Sequence, residues 1–359
     1  MKIVIIGGEA AGMSAAAKAA RTNPSADIIV YEASEIISFG ACGLPYFVAD
    51  EFQDPSYMAE FTPEQFAKRG IDVRTGHRVT KIDSVNKTLD VNSDEGTMTA
   101  RYDRLMIATG AREIIPPIEG LRKEGVYSLR RMQDGIDLKA AIGNEACQHI
   151  TVIGSGFIGL EVAEAMVHRG KKVRLIERAS RLIPDAFDSE ISKHFMTELR
   201  QAGVEVLTDE QVISVIGDQS VEGIITDKGE YQTDLVLVCT GVKPNTDFLL
   251  ETGIEMLANG AIRIDQHGKT SLNDVWAAGD CASIPNAISG KDSYIPLATG
   301  ANKLGRLVGE AMARSSASGQ HQQISPFTGS LGTSCIRLLG LEAGRTGLSE
   351  REAVTAGLR

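Results

Sequence analysis

A cysteine that stands alone, Cys42, is the residue of this chain best suited to redox chemistry. It lies in the run SFGACGLPY at residues 38–46, and no second cysteine follows within the next few residues to form an internal disulfide. A solitary thiol beside an electron carrier cycles between a thiolate and either a mixed disulfide or a sulfenic acid. The alternative is a small buried side chain, which is what most free cysteines are.

Two glycine-rich loops follow short apolar runs and resemble loops that bind dinucleotide phosphates. The second has the sequence GSGFIG at residues 154–159 and is followed by Glu177 at the end of the next apolar run. In such a loop the glycines allow a tight turn, close approach to the pyrophosphate, and packing of the helix on the strand. The phosphates then meet the N-terminus of the following helix.

The first loop, GGEAAG at residues 7–12, departs from this pattern because Glu9 occupies the place of the middle glycine. A carboxylate there repels a pyrophosphate, so we expect the Glu9 side chain to turn to solvent. Glu32 ends the next apolar run, as Glu177 does in the second copy. Carboxylates at these positions accept hydrogen bonds from ribose hydroxyls and disfavour the extra phosphate of NADP. Arg178 softens that preference, so we expect NADH with NADPH possible.

Three further strand ends carry glycine, in the runs ATG at residues 108–110, CTG at 239–241 and AAGD at 277–280. Such ends lie at the edge where open α/β sheets bind ligands. Asp280 either binds a ribityl hydroxyl of a flavin or caps a following helix. Buried apolar strands that alternate with helices predict an α/β fold with two Rossmann-like domains.

Composition restricts the partners. The net charge of -10 argues against nucleic acid and against anionic membranes, and the five scattered cysteines favour a reducing compartment. No apolar stretch is long enough to span a membrane, so we expect a cytoplasmic protein. The six histidines show no metal-ligand spacing, so no metal site is predicted. A polar run at residues 315–323 is predicted to be a linker.

These motifs together resemble the FAD-dependent pyridine nucleotide–disulfide oxidoreductases. The match is to their single-cysteine branch of coenzyme A-disulfide reductases, NADH oxidases and peroxidases, and NADH-dependent persulfide or polysulfide reductases. The resemblance implies a glutathione-reductase-like architecture. It predicts an FAD-binding domain at residues 1–112 and 245–322, an NAD(P)-binding domain at 113–244, and the start of a C-terminal dimerisation domain at 323–359. A homodimer is expected from the family, although the short C-terminal segment leaves the oligomeric state open.

The resemblance also implies roles for individual residues. Cys42 is the implied redox nucleophile. The residues implied to bind FAD are Gly7, Gly8, Ala11, Gly12, Glu32, Ala33, Val79, Ala108, Thr109, Gly110, Arg130, Gly279, Asp280 and Ala298. Those implied to bind NADH are Gly154, Gly156, Phe157, Ile158, Gly159, Glu161, Glu177 and Gly241. Those implied to contact substrate, including the phosphates of coenzyme A, are Lys18, Arg21, Ser38 and Tyr46.

Three hypotheses about function follow. The first is NAD(P)H-dependent reduction of a small disulfide or persulfide, such as coenzyme A disulfide, coenzyme A persulfide or polysulfide, through Cys42. Here we expect Cys42 to open a helix whose dipole lowers the pKa of the thiol. The second is an NADH oxidase or peroxidase that reduces O2 or H2O2 through a sulfenic acid at Cys42. The third is a flavoprotein redox sensor with slow turnover.

Overall fold

A computed structural model describes residues 1–314 and 325–358. They fold as an α/β protein in two compact units. Unit 1 comprises Met1–Phe39, Ala59–Arg112 and Lys243–Gly332, and unit 2 comprises Gly40–Met58, Glu113–Val242 and Thr333–Arg359. The predicted linker at residues 315–323 lies outside the described residues.

Unit 1 is built on a parallel sheet of five strands in the order β18-β7-β1-β2-β3. The strands are β1 (Lys2–Ile6), β2 (Asp27–Tyr31), β3 (Ile71–Arg74), β7 (Arg104–Ile107) and β18 (Val275–Ala277). Their apolar residues are almost wholly buried because helices and loops cover both faces.

Two helices of unit 1 pack unusually closely. These are α1 (Ala10–Thr22) and α7 (Ala298–Ala313). A Cβ at Gly305 would lie 2.4 Å from the Ala11 carbonyl oxygen, and one at Gly309 would lie 2.2 Å from that of Ala15. The smaller elements of unit 1 are α3 (Pro63–Ala67), an antiparallel sheet of β4 (Arg78–Asp83), β5 (Thr88–Ser93) and β6 (Gly96–Arg101), and the pair β19 (Ile284–Pro285) and β20 (Asp292–Ser293).

Unit 2 repeats the design with a parallel sheet in the order β12-β11-β10-β16-β9. Its strands are β9 (Val126–Tyr127), β10 (His149–Ile153), β11 (Lys172–Ile176), β12 (Glu205–Leu207) and β16 (Leu235–Val238). Its helices are α2 (Leu44–Val48), α4 (Met132–Gly143), α5 (Phe157–His168), α6 (Ser189–Gln201) and α8 (Glu350–Thr355). The antiparallel strands are β13 (Val212–Ile216), β14 (Gly223–Thr226), β15 (Glu230–Gln232), β21 (Ser334–Leu338) and β22 (Leu341–Arg345). The chain passes between the units within β8 (Ala111–Glu113) and β17 (Val242–Pro244).

The units differ in two places from the predicted division of the chain. Residues 40–58, which carry Cys42, group with unit 2 rather than with the predicted FAD-binding domain. The reason is that α2 packs against α4 and α5. The C-terminal residues also join unit 2, where Arg345 donates to the carbonyls of Asp185 and Ala186 and Arg351 pairs with Asp185 at 2.8 Å. The assignment of cofactors to the domains stays a prediction.

Candidate active site

Three loops of unit 1 leave neighbouring strands at one edge of the sheet. They follow β18, β7 and β1, which are adjacent and parallel. Because parallel strands present their carboxyl ends at the same edge, the predicted residues 7–12, 108–110 and 278–280 lie along it. The strand order also reverses at β1, the position where such sheets bind ligands.

The first loop has glycine where a side chain has no room. Gly7 has φ +108°, and a Cβ there would lie 2.2 Å from the Ala108 carbonyl oxygen. A Cβ at Gly12 would lie 1.9 Å from the carbonyl oxygen of Gly7. Ala11 is buried beside Gly279, where an added Cβ would lie 3.0 Å from that of Ala11. The loop is therefore a tight turn that brings backbone, without side chains, to the sheet edge.

Glu9 of the first loop and Glu32, which directly follows β2, both bind backbone amides. Glu9 does not turn to solvent as expected, because its Oε2 accepts a hydrogen bond of 2.8 Å from the Phe39 amide. Glu32 accepts from the Gly8 amide at 2.6 Å and from the Ser34 amide at 2.8 Å. The Ser38 amide donates to the Gly8 carbonyl at 2.9 Å. The segment that precedes Cys42 in sequence is thus tied to the first loop up to residue 39.

Other predicted residues of unit 1 have varied surroundings. Thr109 donates through Oγ1 to the Asn245 carbonyl at 2.8 Å. Val79 is buried in β4, whereas Ala33 is exposed, as is Ala298 at the start of α7.

Asp280 lies in a turn, and no helix begins after it in the described chain before α7. The alternative in which Asp280 caps a following helix is therefore wrong. Arg130, predicted to bind FAD, belongs to unit 2 and lies just before α4, where its amide donates to Asp134 at 3.1 Å.

A basic cavity of about 430 Å³ lies between α1 and α7 in unit 1. Its lining residues are Lys18, Arg21, Arg306, Leu307, Glu310, Arg314 and Ser325. Glu310 pairs with Lys18 at 3.0 Å and also with Arg314, so it is paired with two of the four cations that line the cavity. The predicted substrate residues Lys18 and Arg21 are thus brought to one place. Sequence reasoning missed Arg306 and Arg314, whose spacing of four residues on either side of Glu310 was an available signal.

The second loop repeats the tight turn in unit 2. Gly154 has φ +100°, and a Cβ there would lie 2.5 Å from the Cys239 carbonyl oxygen. A Cβ at Gly159 would lie 2.0 Å from the carbonyl oxygen of Gly154. Gly156 differs, because a Cβ there meets nothing within 4 Å and its φ of -68° suits any residue. Neither steric contact within the protein nor backbone conformation explains glycine at position 156.

The remaining residues predicted for the second loop surround this turn. Phe157 and Ile158 begin α5. Gly241 is exposed beyond β16, the neighbour of β10, and its carbonyl accepts from the Ile114 amide at 2.9 Å. The N-terminus of α5 and the strand ends of β10 and β16 therefore face one edge of the sheet.

Glu177 is buried and organises the second loop. Its Oε2 accepts from the Ser155 amide at 2.9 Å and from the Ser155 hydroxyl at 2.7 Å. The Ile183 amide donates in turn to Ser155, and Ile183 has φ +48°, which is rare for a β-branched residue. Arg178 is exposed. Sequence reasoning missed Ser155 because a serine inside a glycine-rich loop carries no distinguishing pattern.

Cys42 carries an exposed thiol in unit 2. It lies in a one-turn 3-10 helix, Ala41–Gly43, directly before α2. Cys42 was expected to open a helix, and the helical elements found there have only three and five residues. Because α2 has five residues, few aligned peptide dipoles contribute at the thiol.

The segment after Cys42 is held firmly inside unit 2. A Cβ at Gly135 would lie 2.6 Å from a methyl of Leu44, so α4 approaches α2 very closely. Asp50, just beyond α2, pairs with Lys139 at 2.7 Å and with Arg169 at 2.8 Å. Arg169 directly follows α5. The cysteine segment is therefore anchored to the helix of the second loop.

Two residues predicted from different motifs meet between α2 and α5. Burial raises the pKa of Tyr46, with Glu161 as the next cause. Burial, together with the nearby Glu164 carboxylate, raises the pKa of Glu161 to about 7. Arg337 of β21 lies 6.0 Å from the centre of the Tyr46 ring. The Glu161 carboxyl is therefore near enough to the Tyr46 phenol to raise its pKa.

The other cysteines are poorly suited to thiolate chemistry or lie elsewhere. Burial raises the pKa of Cys239 to about 12 and that of Cys281 to about 11, so both stay thiols at neutral pH. Burial also raises the pKa of Cys147. Cys335 is exposed on β21. Among the residues that the structure describes, no group of three metal-ligating side chains occurs. No helix in the described ranges has the length and apolarity needed to cross a membrane.

Comparison with known proteins gives consistent matches. Residues 1–305 match the family model described as pyridine nucleotide-disulphide oxidoreductase. A relative from Pyrococcus furiosus, named NAD(P)H sulfur oxidoreductase (CoA-dependent), is 38% identical over 357 residues, which are 99% of this chain and 78% of the relative. An Enterococcus faecalis relative named NADH oxidase is 33% identical over 363 residues, covering 100% of this chain and 79% of the relative.

A solved structure of similar fold is that of an NAD-dependent persulfide reductase from A. fulgidus. It has a TM-score of 0.93 and 34% sequence identity. The alignment covers 100% of this chain but 66% of that one, so the present chain spans about two thirds of this neighbour's length.

Proposed function

The chain belongs to the pyridine nucleotide-disulphide oxidoreductase family, and on that premise we propose that it reduces a disulfide or persulfide of coenzyme A with electrons from NADH. It is therefore an oxidoreductase that uses a pyridine nucleotide. The acceptor, the flavin and the roles of single residues belong to the proposal.

The first loop suits FAD. The glycines at 7 and 12 leave no side chain between the backbone and the sheet edge. Glu32 is half-buried and retains acceptor capacity for a ribose hydroxyl beyond the amides that it already binds. Asp280 at the neighbouring strand end offers a second carboxylate for polyol hydroxyls.

The second loop suits an exchangeable NADH. The open space at Gly156 and the N-terminus of α5 offer a place for the pyrophosphate. The buried Glu177 occupies the position that accepts ribose hydroxyls, so an additional 2′-phosphate meets a negative charge. The exposed Arg178 next to it keeps NADPH as a weaker alternative.

The basic cavity is the observation that carries the choice of acceptor. Lys18, Arg21, Arg306 and Arg314 line it together, and a single carboxylate, Glu310, partly neutralises them. Phosphate groups are the natural partners of clustered arginines. Coenzyme A carries several phosphates, whereas O2, H2O2 and inorganic polysulfide carry none. The cavity therefore favours an acceptor attached to coenzyme A.

Cys42 performs the sulfur chemistry. Its thiolate attacks one sulfur of the substrate disulfide, so a bond forms between the two sulfurs while the substrate S–S bond breaks. The released thiolate takes up one proton, and the net reaction consumes NADH and H⁺ and yields NAD⁺ and two thiols. A flavin held at the first loop by Glu32 and Asp280 would carry an electron pair from NADH to the mixed disulfide. The exposure of Cys42 allows a substrate to approach.

A second candidate is reduction of O2 or H2O2 through a sulfenic acid at Cys42. The relative named NADH oxidase supports it. The slow-turnover sensor, the homodimer and the cytoplasmic location stay predictions.

Stopped-flow absorbance of the flavin-containing full chain tests the proposal. NADH is expected to bleach the flavin band, and coenzyme A disulfide to restore it faster than O2, H2O2 or polysulfide does. Cys42→Ser is expected to keep the bleaching but to lower disulfide turnover by about 10³-fold or more. Reoxidation that is fastest with O2 would favour the oxidase, and negligible turnover with every acceptor would favour the sensor.

The cavity is tested separately with the double variant Arg21→Gln, Arg306→Gln. We expect kcat/KM for coenzyme A disulfide to fall by roughly tenfold to a hundredfold, because two charge-assisted phosphate contacts are lost. Turnover of cystine, which has no phosphate, should not change. Arg101→Gln, at an exposed position of β6, is the matched control. Equal losses with both disulfides would refute the assignment of the cavity to phosphates.

A further inference from the structure

Two carboxyl groups lie one turn apart on α5. Glu161 is half-buried and Glu164 is buried, with 7% of its surface exposed. Residues three apart are neighbours on one helix face. Burying two like charges side by side is costly unless one of them keeps its proton or both find cationic partners.

Glu164 accepts a hydrogen bond from a backbone amide that is distant in sequence. The Leu339 amide donates to Oε1 of Glu164 at 2.9 Å. Leu339 lies in the two-residue turn between β21 and β22 and has φ +54°, a left-handed conformation that costs an aliphatic residue energy. His168 Nε2 is farther away, at 3.9 Å. The strained turn between β21 and β22 therefore places a backbone amide within hydrogen-bond distance of Glu164.

Glu161 has no comparable support. In the described part of the chain it forms no ion pair with lysine or arginine. The phenol of Tyr46, on α2, interacts electrostatically with both Glu161 and Glu164. From β21, Arg337 lies over the Tyr46 ring and pairs at 3.4 Å with Glu51.

Within the ranges that the structure describes, the charged side chains on β10 and β11 interact with other residues or lie at a strand end. On β10, His149 lies 3.4 Å from Asp234. On β11, Arg174 pairs with Glu205 at 2.8 Å, and Lys172 is exposed at the start of the strand.

We propose that Glu164 is a positioning residue of the nicotinamide site: hydrogen-bonded to the Leu339 amide, it makes its neighbour Glu161 retain a proton up to the neutral range, well above the pH at which an ordinary glutamate ionises. The proposal deepens the proposed function and depends on Glu161 lying beside the bound dinucleotide. A neutral Glu161 offers one O–H donor and one carbonyl acceptor, which complement the carboxamide of nicotinamide. An ionised Glu161 offers acceptors only. The pKa of about 7 for Glu161, raised first by burial and then by Glu164, agrees with this assignment.

The arrangement has a consequence for binding. The nicotinamide ring is neutral in NADH and positive in NAD⁺. A protonated Glu161 therefore holds NAD⁺ no more tightly than NADH, whereas an ionised Glu161 attracts the positive ring. NAD⁺ affinity should rise as the pH passes upward through the pKa of Glu161, and NAD⁺ binding should release a proton near neutral pH.

Isothermal titration calorimetry of the oxidised, flavin-containing full chain tests this inference. The ligands are NAD⁺ and a tetrahydro analogue of NADH that transfers no hydride, each titrated at several pH values in buffers of different ionisation enthalpy. For the parent protein we expect the affinity for NAD⁺ relative to that for the analogue to rise roughly tenfold between about pH 6 and about pH 8.

Four variants complete the test. Glu161→Gln should abolish the pH dependence. Glu164→Gln keeps an acceptor for the Leu339 amide but removes the charge, so the rise should move to lower pH. Glu164→Asp should restore the parent profile, and the exposed Glu145→Gln should match the parent. A Glu164→Gln profile equal to that of the parent would overturn the inference. Failure of the parent to bind either dinucleotide would instead overturn the proposed function.

Discussion

The two glycine-rich loops share one backbone design and differ in the side chains around it. Gly7 and Gly154 have φ of +108° and +100°. In each loop the last glycine packs on the carbonyl of the first, and an added Cβ would lie 1.9 Å away at Gly12 and 2.0 Å away at Gly159. The acidic residue at the end of the following strand accepts a loop amide in both units.

The differences lie at the middle of the loop and on the helix that follows. The middle position of the first loop is Glu9, whose side chain accepts a hydrogen bond from the Phe39 amide. The same position of the second loop is Gly156, which has open space beside it. Two and five residues after the last glycine, α1 carries Ser14 and Ala17, whereas α5 carries the carboxyls Glu161 and Glu164. Ser14 is engaged by α7 through a hydrogen bond of 2.7 Å to Asn302.

This comparison teaches that glycines set the shape of such a loop and that neighbouring side chains set its use. At the first loop, Glu9 and Ser14 are hydrogen-bonded to other parts of unit 1, which agrees with our proposal that its ligand stays bound. The second loop is open at Gly156 and has ionisable groups on its helix, which fits a ligand that enters, changes charge and leaves.

The largest expected effect concerns the feature that the loops share. Gly12→Ala and Gly159→Ala should each lower the free energy of unfolding by about 3 kcal/mol or more, because the new Cβ meets a backbone carbonyl that has little freedom to move. Urea unfolding would measure both losses. Gly143→Ala, at the last residue of α4 with nothing within 4 Å of the new Cβ, is the control and should be neutral or slightly stabilising. Stable variants at 12 and 159 would show that the shared geometry is not required.

The next effect concerns the open position of the second loop. Gly156→Ala should fold normally but raise the KM for NADH by roughly tenfold to a hundredfold, because its Cβ occupies the space assigned to the pyrophosphate. Flavin content, which we assign to the first loop, should not change. Steady-state kinetics and the absorbance ratio of flavin to protein would measure the two. An unchanged KM would remove the argument that the space serves a ligand.

A third effect concerns the carboxyls on α5 and appears as a pH dependence of stability. The pKa of Glu161 is raised from 4.5 to about 7 in the folded protein, so ionising it destabilises the fold, and stability is lost as the pH rises through about 7. Glu161→Gln should therefore leave stability unchanged below about pH 4.5 and raise it by about 1–3 kcal/mol above about pH 7, after discounting for partial exposure. Chemical denaturation of both proteins at several pH values would show the difference. Ser14→Gln, at the corresponding position of α1, should show no such pH dependence.

The smallest effect concerns backbone strain. Among the described residues, aliphatic side chains with left-handed φ occur only in unit 2, at Ile183 and Leu339. Leu339→Gly should raise the free energy of unfolding by about 0.5–1 kcal/mol, because glycine accepts this φ without strain and keeps the amide that Glu164 binds. Thermal unfolding would detect the gain. A loss of stability would mean that the packing of the Leu339 side chain outweighs the strain of its backbone.

The sequence alone determined the parts of this protein that depend on neighbours along the chain. Apolar runs next to glycine-rich turns predicted the parallel strands, their two dinucleotide-type loops and the acidic residues that follow. The run around Cys42 could also be recognised from the sequence, because its residue types and their spacing all lie within one short segment.

Only the tertiary structure decided which distant residues meet. Leu339 lies 175 positions from Glu164 along the chain, and the sequence around either residue does not indicate that the two form a hydrogen bond. The same holds for Glu9 and Phe39, for the arginines of α7 that join Lys18 and Arg21, and for the grouping of Cys42 with α5. Such contacts arise from packing between elements, and the pattern within one element specifies its own buried face but not the partner that covers it.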